Sequence, residues 1–170
     1  RQSLGIRTVF NILGPLTNPA QPNFYLLGAF SSSMAKLMAE ALSGMSIDRA
    51  FIVHGLNGWD EPTPVGEFEL YDVKPNRVQH TVRDPKDFGI DRCTEEDLKG
   101  GDAKTNSAAL INVFNQNDQG PHKDALVLGT GLALEVSSTV NNLKEGIELA
   151  RATIDDGKAT QMINSLSTDD

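Results

Sequence analysis

One cysteine, Cys93, stands in 170 residues. A lone thiol excludes an internal disulfide framework and any zinc site built from several thiolates, and it is compatible with a reducing compartment. No stretch approaches the roughly 20 apolar residues that cross a bilayer, and no basic-then-apolar leader is found. A soluble, cytoplasmic protein is the expectation. Positive charge is scarce as well: 15 Lys and Arg stand against 23 Asp and Glu, a net charge of −8. The average field then repels nucleic acid and anionic membranes, and a polyanionic ligand needs local Lys or Arg or a bridging metal. There is no internal repeat and no low-complexity segment. What remains is a 39% hydrophobic share, enough to bury a real core in one domain or in a piece of a larger one.

The chain is organised around residues 53–64. The apolar run Ala50, Phe51, Ile52, Val53 breaks at Gly55 and Gly58 and then reaches the adjacent carboxylates Asp60 and Glu61. A buried parallel strand delivers acidic groups in this way to its carboxyl end, where open α/β sheets bind ligands. Neighbouring side chains on a regular strand or helix point apart, but on a glycine-loosened loop both can converge on one cation. Carboxylates without a nearby His or Cys cluster suit a hard cation such as Mg²⁺. The alternative is a solvated turn before Pro62, the commoner fate of such a pair.

Strands and helices alternate on either side. Residues 24–30 read as a buried strand and 34–42 as a helix capped within Ser31 to Ser33 and ended by Gly44, with Leu37, Met38, Ala41 and Leu42 on its inner face. The methionines there are core residues, not a cofactor site. This strand, helix, strand order predicts a crossover unit whose two strands lie parallel. Residues 67–73 alternate as a half-exposed strand, and after the turn at Lys74, Pro75 and Asn76 residues 77–82 return as a hairpin partner. His80 reads as a surface or pairing histidine, and His54 as one packed at a strand end no less than as a catalytic one. A short helix is expected near 94–98, with Thr94 and Asp97 in a capping-box-like pair. Three helices, 102–114, 123–137 and 143–156, complete the pattern, the last capped by Asn142 with Glu145 at its third position. Residues 126–128 suit a strand equally by propensity. Gly129, Thr130 and Gly131 read as close helix packing in preference to a phosphate loop.

The amino-terminal residues carry a resemblance. Leu4-Gly5-Ile6-Arg7-Thr8 and Phe10-Asn11-Ile12-Leu13-Gly14-Pro15-Leu16-Thr17-Asn18-Pro19, followed by His54-Gly55 and Asp60-Glu61, closely resemble the anthranilate phosphoribosyltransferases of tryptophan biosynthesis. From the residues alone, 4–13 suggest short helical turns, and Gly14 to Pro19 form a turn that is either a pocket wall or a plain connector. The resemblance covers essentially the whole chain and corresponds to the carboxyl-terminal portion of the α/β catalytic domain of the nucleoside phosphorylase and phosphoribosyltransferase fold. That fold is expected to have mainly parallel strands, a hairpin and carboxyl-terminal helices, and the resemblance also tips residues 126–128 to helix. The family's amino-terminal helical domain and its Gly-Thr-Gly-Gly-Asp pyrophosphate loop have no counterpart in these residues, and a chain opening on Arg1 in mid-element looks like the interior of a longer protein.

The resemblance further implies transfer of phosphoribosyl from phosphoribosyl pyrophosphate (PRPP) to anthranilate by a homodimer, Mg²⁺ held at Asp60 and Glu61, and substrate bound by Arg1, Gly14 and Pro15, with Arg1 meeting the anthranilate carboxylate. Leu56-Asn57-Gly58-Trp59 departs from the family's usual approach to the acid pair but leaves both carboxylates in place. Two other readings are a related pyrimidine-nucleoside phosphorylase and a non-catalytic binding relative, including a nucleic-acid-binding one, which the acidic balance disfavours.

Overall fold

The computed structural model describes residues 18–166. Four strands, β1 (Phe24–Gly28), β2 (Arg49–Gly55), β3 (Phe68–Lys74) and β4 (Arg77–Arg83), form one sheet in that order. β1 and β2 are parallel, with Gly28 level with Val53, as the crossover pattern predicts. Helix α1, Ser32–Ser43, links them. Its amino end is capped by the Ser31 hydroxyl, which accepts from the Met34 N–H at 3.3 Å, and the Gly44 N–H closes its carboxyl end on the Ala41 carbonyl at 3.2 Å. The inward stripe is Ala35, Met38, Ala39 and Leu42, whereas Leu37 is 49% exposed. It follows the i, i+3, i+4, i+7 spacing from Ala35 rather than from Leu37, because small alanines let the helix lie close to the sheet.

The other two pairings, β2 with β3 and β3 with β4, are antiparallel. The described sheet is therefore mixed, not mainly parallel, since the chain turns back after the acidic loop without a second crossover helix. Pro75 and Asn76 make a tight β3–β4 turn, with Asn76 at φ 57°. β3 is also more buried than its alternation suggests. Phe68 and Leu70 face one core while Tyr71 and Val73 face the other, because β3 lies between two strands with helices on both sides. His80 pairs as expected, stacking on Tyr71 with ring centroids 4.5 Å apart and standing 3.2 Å from a Glu69 carboxylate oxygen.

Two cores flank the sheet. One packs α1 against Ala50, Ile52 and Val73. The other sets Phe51, Val53 and Leu70 against helices α3 (Pro121–Val136) and α4 (Leu143–Asp155). Burial on both faces explains the uninterrupted apolar run of β2. Short 3₁₀ turns at Pro85–Phe88 and Glu96–Leu98 lead to α2, Ala103–Phe114, whose Asp102 cap accepts from the Thr105 N–H at 2.8 Å. The Thr94 hydroxyl donates to Asp97 at 2.7 Å, the expected pairing. Residues 126–128 are helical. A fourth helix, α5 (Lys158–Leu166), follows the three expected, beyond Gly157 at φ 73°; its Ala159, Met162, Ile163 and Leu166 keep the i, i+3, i+4, i+7 spacing of a helix, a signal that the three-helix expectation missed, yet none of them is buried.

A polar clamp sets the direction of α3. Arg49, at the start of β2, donates from Nη1 to the Glu135 carbonyl near the end of α3 at 3.0 Å, and Arg83 donates to both Glu135 carboxylate oxygens at 2.6 and 3.0 Å. α3 thus runs antiparallel to β2. Its sixteen residues rise about 24 Å, enough to carry its amino end to the carboxyl edge of β1 and β2.

Candidate functional site: an acidic loop beside a cleft

At that edge β2 ends in His54 and Gly55. The His54 Nδ1–H donates to the Ala29 carbonyl at 2.8 Å, and the ring is buried, so this histidine is packed at the strand end. The Gly55 N–H then donates to the Trp59 carbonyl at 2.9 Å, and the Gly58 N–H returns to the Gly55 carbonyl at 2.8 Å, with Gly58 at φ 92°. Only glycine adopts that φ without cost. The Leu56 N–H bonds the Glu67 carbonyl at 2.9 Å and closes the far side of the loop. Pro62, Thr63 and Pro64 are buried and anchor the segment, while Asp60 and Glu61 remain exposed.

Glu61 and Trp59 face a cleft of 1140 Å³. Its opposite walls come from α2, through Thr105, Asn106 and Leu110, and from α3, through His122, Leu126, Gly129 and Thr130. The lining is largely apolar with a few polar groups, the usual make-up of a small-molecule site. The Glu61 carboxyl is pushed above the ordinary range, first by burial against this wall and then by the Asp60 charge. Glu61 is thus exposed as a residue yet loses part of its hydration where it lines the cleft. A divalent cation reverses both effects by favouring the ionised form.

Among the described residues no group of three or more His, Cys, Asp or Glu could hold a metal. Asp60 and Glu61 offer two neighbouring carboxylates, fewer than such a group. Mg²⁺ keeps several waters and takes one or two carboxylates plus phosphate oxygens, so this pair fits a Mg²⁺ shared with a phosphate-bearing ligand and does not fit a closed all-protein cage. Arg1, Gly14 and Pro15 lie outside the described residues, so the expected substrate contacts are not part of this geometry.

Three features of the site go beyond what the sequence suggests. Gly131 does pack closely, its position lying against Leu143 and Ile147 of α4, but Gly129 and Thr130 belong to the cleft wall. His122 and Asp118 form a pair, Nδ1 to Oδ2 at 2.9 Å, with the Asp118 carboxylate held below its ordinary range by the Gly120 N–H and then by His122. Their i, i+4 spacing is the one available signal. The cleft itself joins segments far apart in the chain, from Trp59 to Ala133, which no local pattern reports.

The pattern described as "Glycosyl transferase family, a/b domain" matches residues 1–160. The chain is 42% identical over 166 residues to the anthranilate phosphoribosyltransferase of Desulforamulus reducens, covering 98% of this chain and 48% of that relative, and 41% identical over 164 residues to that of Acetivibrio thermocellus, covering 96% and 47%. It spans about half the length of the curated relatives it matches. Among solved structures, the enzyme of Thermus thermophilus superposes with a TM-score of 0.86 at 37% identity, over 97% of this chain and 48% of the other. The Saccharomyces cerevisiae enzyme in complex with PRPP and Mg superposes with a TM-score of 0.85 at 30% identity, over 95% and 46%. With this match running through strands, acidic loop and cleft alike, the chain belongs to the glycosyl transferase family and carries its a/b domain fold.

Proposed function

We propose that these residues form the metal-holding portion of an anthranilate phosphoribosyltransferase. The complete enzyme transfers the phosphoribosyl group of PRPP to the amino group of anthranilate and releases pyrophosphate. The observation that carries this reading is the acid pair at the carboxyl edge of the parallel strands, beside a cleft, in a chain 42% identical to an enzyme of that name. Breaking the anomeric carbon–oxygen bond leaves negative charge on the departing pyrophosphate, and Mg²⁺ offsets that charge when bound. Asp60 and Glu61 bind and orient that cation. The apolar walls from α2 and α3 exclude water and strengthen the electrostatics there. Arg1 is assigned to the anthranilate carboxylate, for which a guanidinium fork is suited, with Gly14 and Pro15 beside it. The same proposal includes a homodimer and a cytoplasmic setting for the complete enzyme, with the helical domain and the pyrophosphate loop supplied from outside these 170 residues. The purified 170-residue chain should accordingly give no phosphoribosylanthranilate.

The test replaces Asp60 with Asn and Glu61 with Gln in the full-length protein, which keeps volume and removes two charges. A solvated turn predicts a stability change of only about 0.5 kcal/mol and near-normal activity. A metal role predicts a normal thermal melt with kcat/KM lowered more than about a hundredfold at limiting Mg²⁺, equivalent to ~3 kcal/mol, and partly restored at high Mg²⁺. Wild-type rates across the Mg²⁺ titration refute the assignment.

A further inference from the structure

Two glycines close the two parallel strands, Gly28 at the end of β1 and Gly55 at the end of β2. Neither has a positive φ, so backbone conformation does not require glycine at either position. Contact does. A Cβ on Gly28 would penetrate the Asp60 carbonyl oxygen and stand 2.8 Å from the Asp60 carbonyl carbon. A Cβ on Gly55 would stand 3.1 Å from both the Glu61 carbonyl oxygen and the Trp59 Cβ. The obstacle at Gly28 is main chain, which cannot swing aside as a flexible side chain does. Gly44 gives the contrast, since its nearest neighbour would be the Ala41 carbonyl oxygen at 3.7 Å.

We infer that Gly28 is a positioning residue for the acid pair: its bare α-carbon is the seat on which the Asp60 backbone rests, and Gly55 is a second, looser support. This inference rests on the metal-holding reading above. The loop main chain lies directly on the strand end, which sets the height and direction from which the Asp60 and Glu61 side chains leave. Trp59 and Asp60 are held from the other side by the Gly55 to Trp59 hydrogen bond at 2.9 Å. A methyl group under Asp60 lifts one side of a loop pinned on the other, so it rotates the carboxylates as well as displacing them. Gly28 touches neither metal nor substrate in this account.

Trp59 is the only tryptophan of the 170 residues and adjoins Asp60, so its fluorescence reports the loop directly. The experiment compares the protein with Gly28→Ala, Gly55→Ala, Gly44→Ala and the Asp60→Asn, Glu61→Gln double variant. It reads Trp59 emission, far-ultraviolet circular dichroism with a thermal melt, and Mn²⁺ binding in the presence of pyrophosphate by electron paramagnetic resonance. Gly28→Ala should keep its circular dichroism and cooperative melt, shift the Trp59 emission, and weaken Mn²⁺ binding at least about tenfold, as loss of a supporting contact behind a metal ligand does. Gly55→Ala should show the same signature more weakly, and Gly44→Ala neither change. Wild-type emission and affinity in Gly28→Ala overturn the inference. If Gly28→Ala does not fold, wild-type behaviour in Gly55→Ala overturns it instead. Wild-type Mn²⁺ affinity in the double variant overturns the metal reading separately, while the Trp59 emission still decides whether Gly28 seats the loop.

Discussion

Glu135 shows how unequal individual side chains are in this molecule. It is 5% exposed, accepts two hydrogen bonds from Arg83, and its carbonyl accepts a third from Arg49. Removing one partner of a buried ion pair leaves the other charge without compensation, so Glu135→Ala should cost about 3–5 kcal/mol in urea unfolding. Lys36→Ala removes an exposed i, i+4 contact to Glu40 at 4.0 Å and should change stability by less than about 0.5 kcal/mol. Nothing local in the sequence distinguishes Glu135 from a solvated helical glutamate, because the arginines that answer it lie on β2 and β4. Asp60 and Glu61 are legible for the opposite reason. An apolar run, two glycines and two acids lie within a dozen positions, and a strand end with its loop is written in one short stretch. The cleft walls at Asn106 and His122 have no such compact signature, since they become neighbours of Glu61 only when α2 and α3 fold against the loop.

Elements are legible where a cap and a buried face coincide. Ser31, Asp102 and Asn142 each accept a backbone N–H at the start of their helix, and each marks its boundary in the sequence. α5 has the apolar spacing, through Ala159, Met162, Ile163 and Leu166, but Gly157 before it offers no side-chain cap and none of its residues is buried, so the cap and the buried face are both missing there. β3 reads as half-exposed because alternation reports which residues share a face but not whether a second layer covers the other face. The crossing of α3 and α4 offers a test at this scale. A Cβ on Gly146 would stand 2.8 Å from the Gly131 α-carbon, so Gly146→Ala should force the two helices apart and destabilise by about 1–3 kcal/mol. Gly129 lies in the same helix as Gly131, yet a methyl group there would meet nothing within 4 Å, so Gly129→Ala should stabilise by up to about 1 kcal/mol through helix propensity. Thermal melts of the two variants should therefore move in opposite directions.

For the molecule as a whole, the acid side of the stability curve follows from where its carboxylates sit. Asp97, Asp102, Asp118 and Glu145 are held below their ordinary range, each chiefly by a backbone N–H bonded to the carboxylate. The stability they contribute is present above the unfolded carboxylate range and is lost as pH falls through their lower folded values. Asp124 is pushed the other way by burial, despite the Arg151 guanidinium, so its contribution is fullest below the unfolded value and is lost as pH rises through the folded one. Glu61, also pushed up by burial and by Asp60, acts in the same direction, so melting temperature should hold or rise slightly on mild acidification, then fall below about pH 4, and Asp124→Asn should reduce the rise. Time adds a further consequence of the sheet order. β3 and β4 are joined by a tight turn and can pair within microseconds, whereas β1 reaches β2 only after the whole of α1 has been threaded between them, a slower closure. Because Asp60 rests on the end of β1 while its loop springs from β2, its seat does not exist until that last pairing is made. In refolding, the far-ultraviolet signal should grow in before Trp59 emission reaches its native value, making the acidic loop the final part of the protein to take shape.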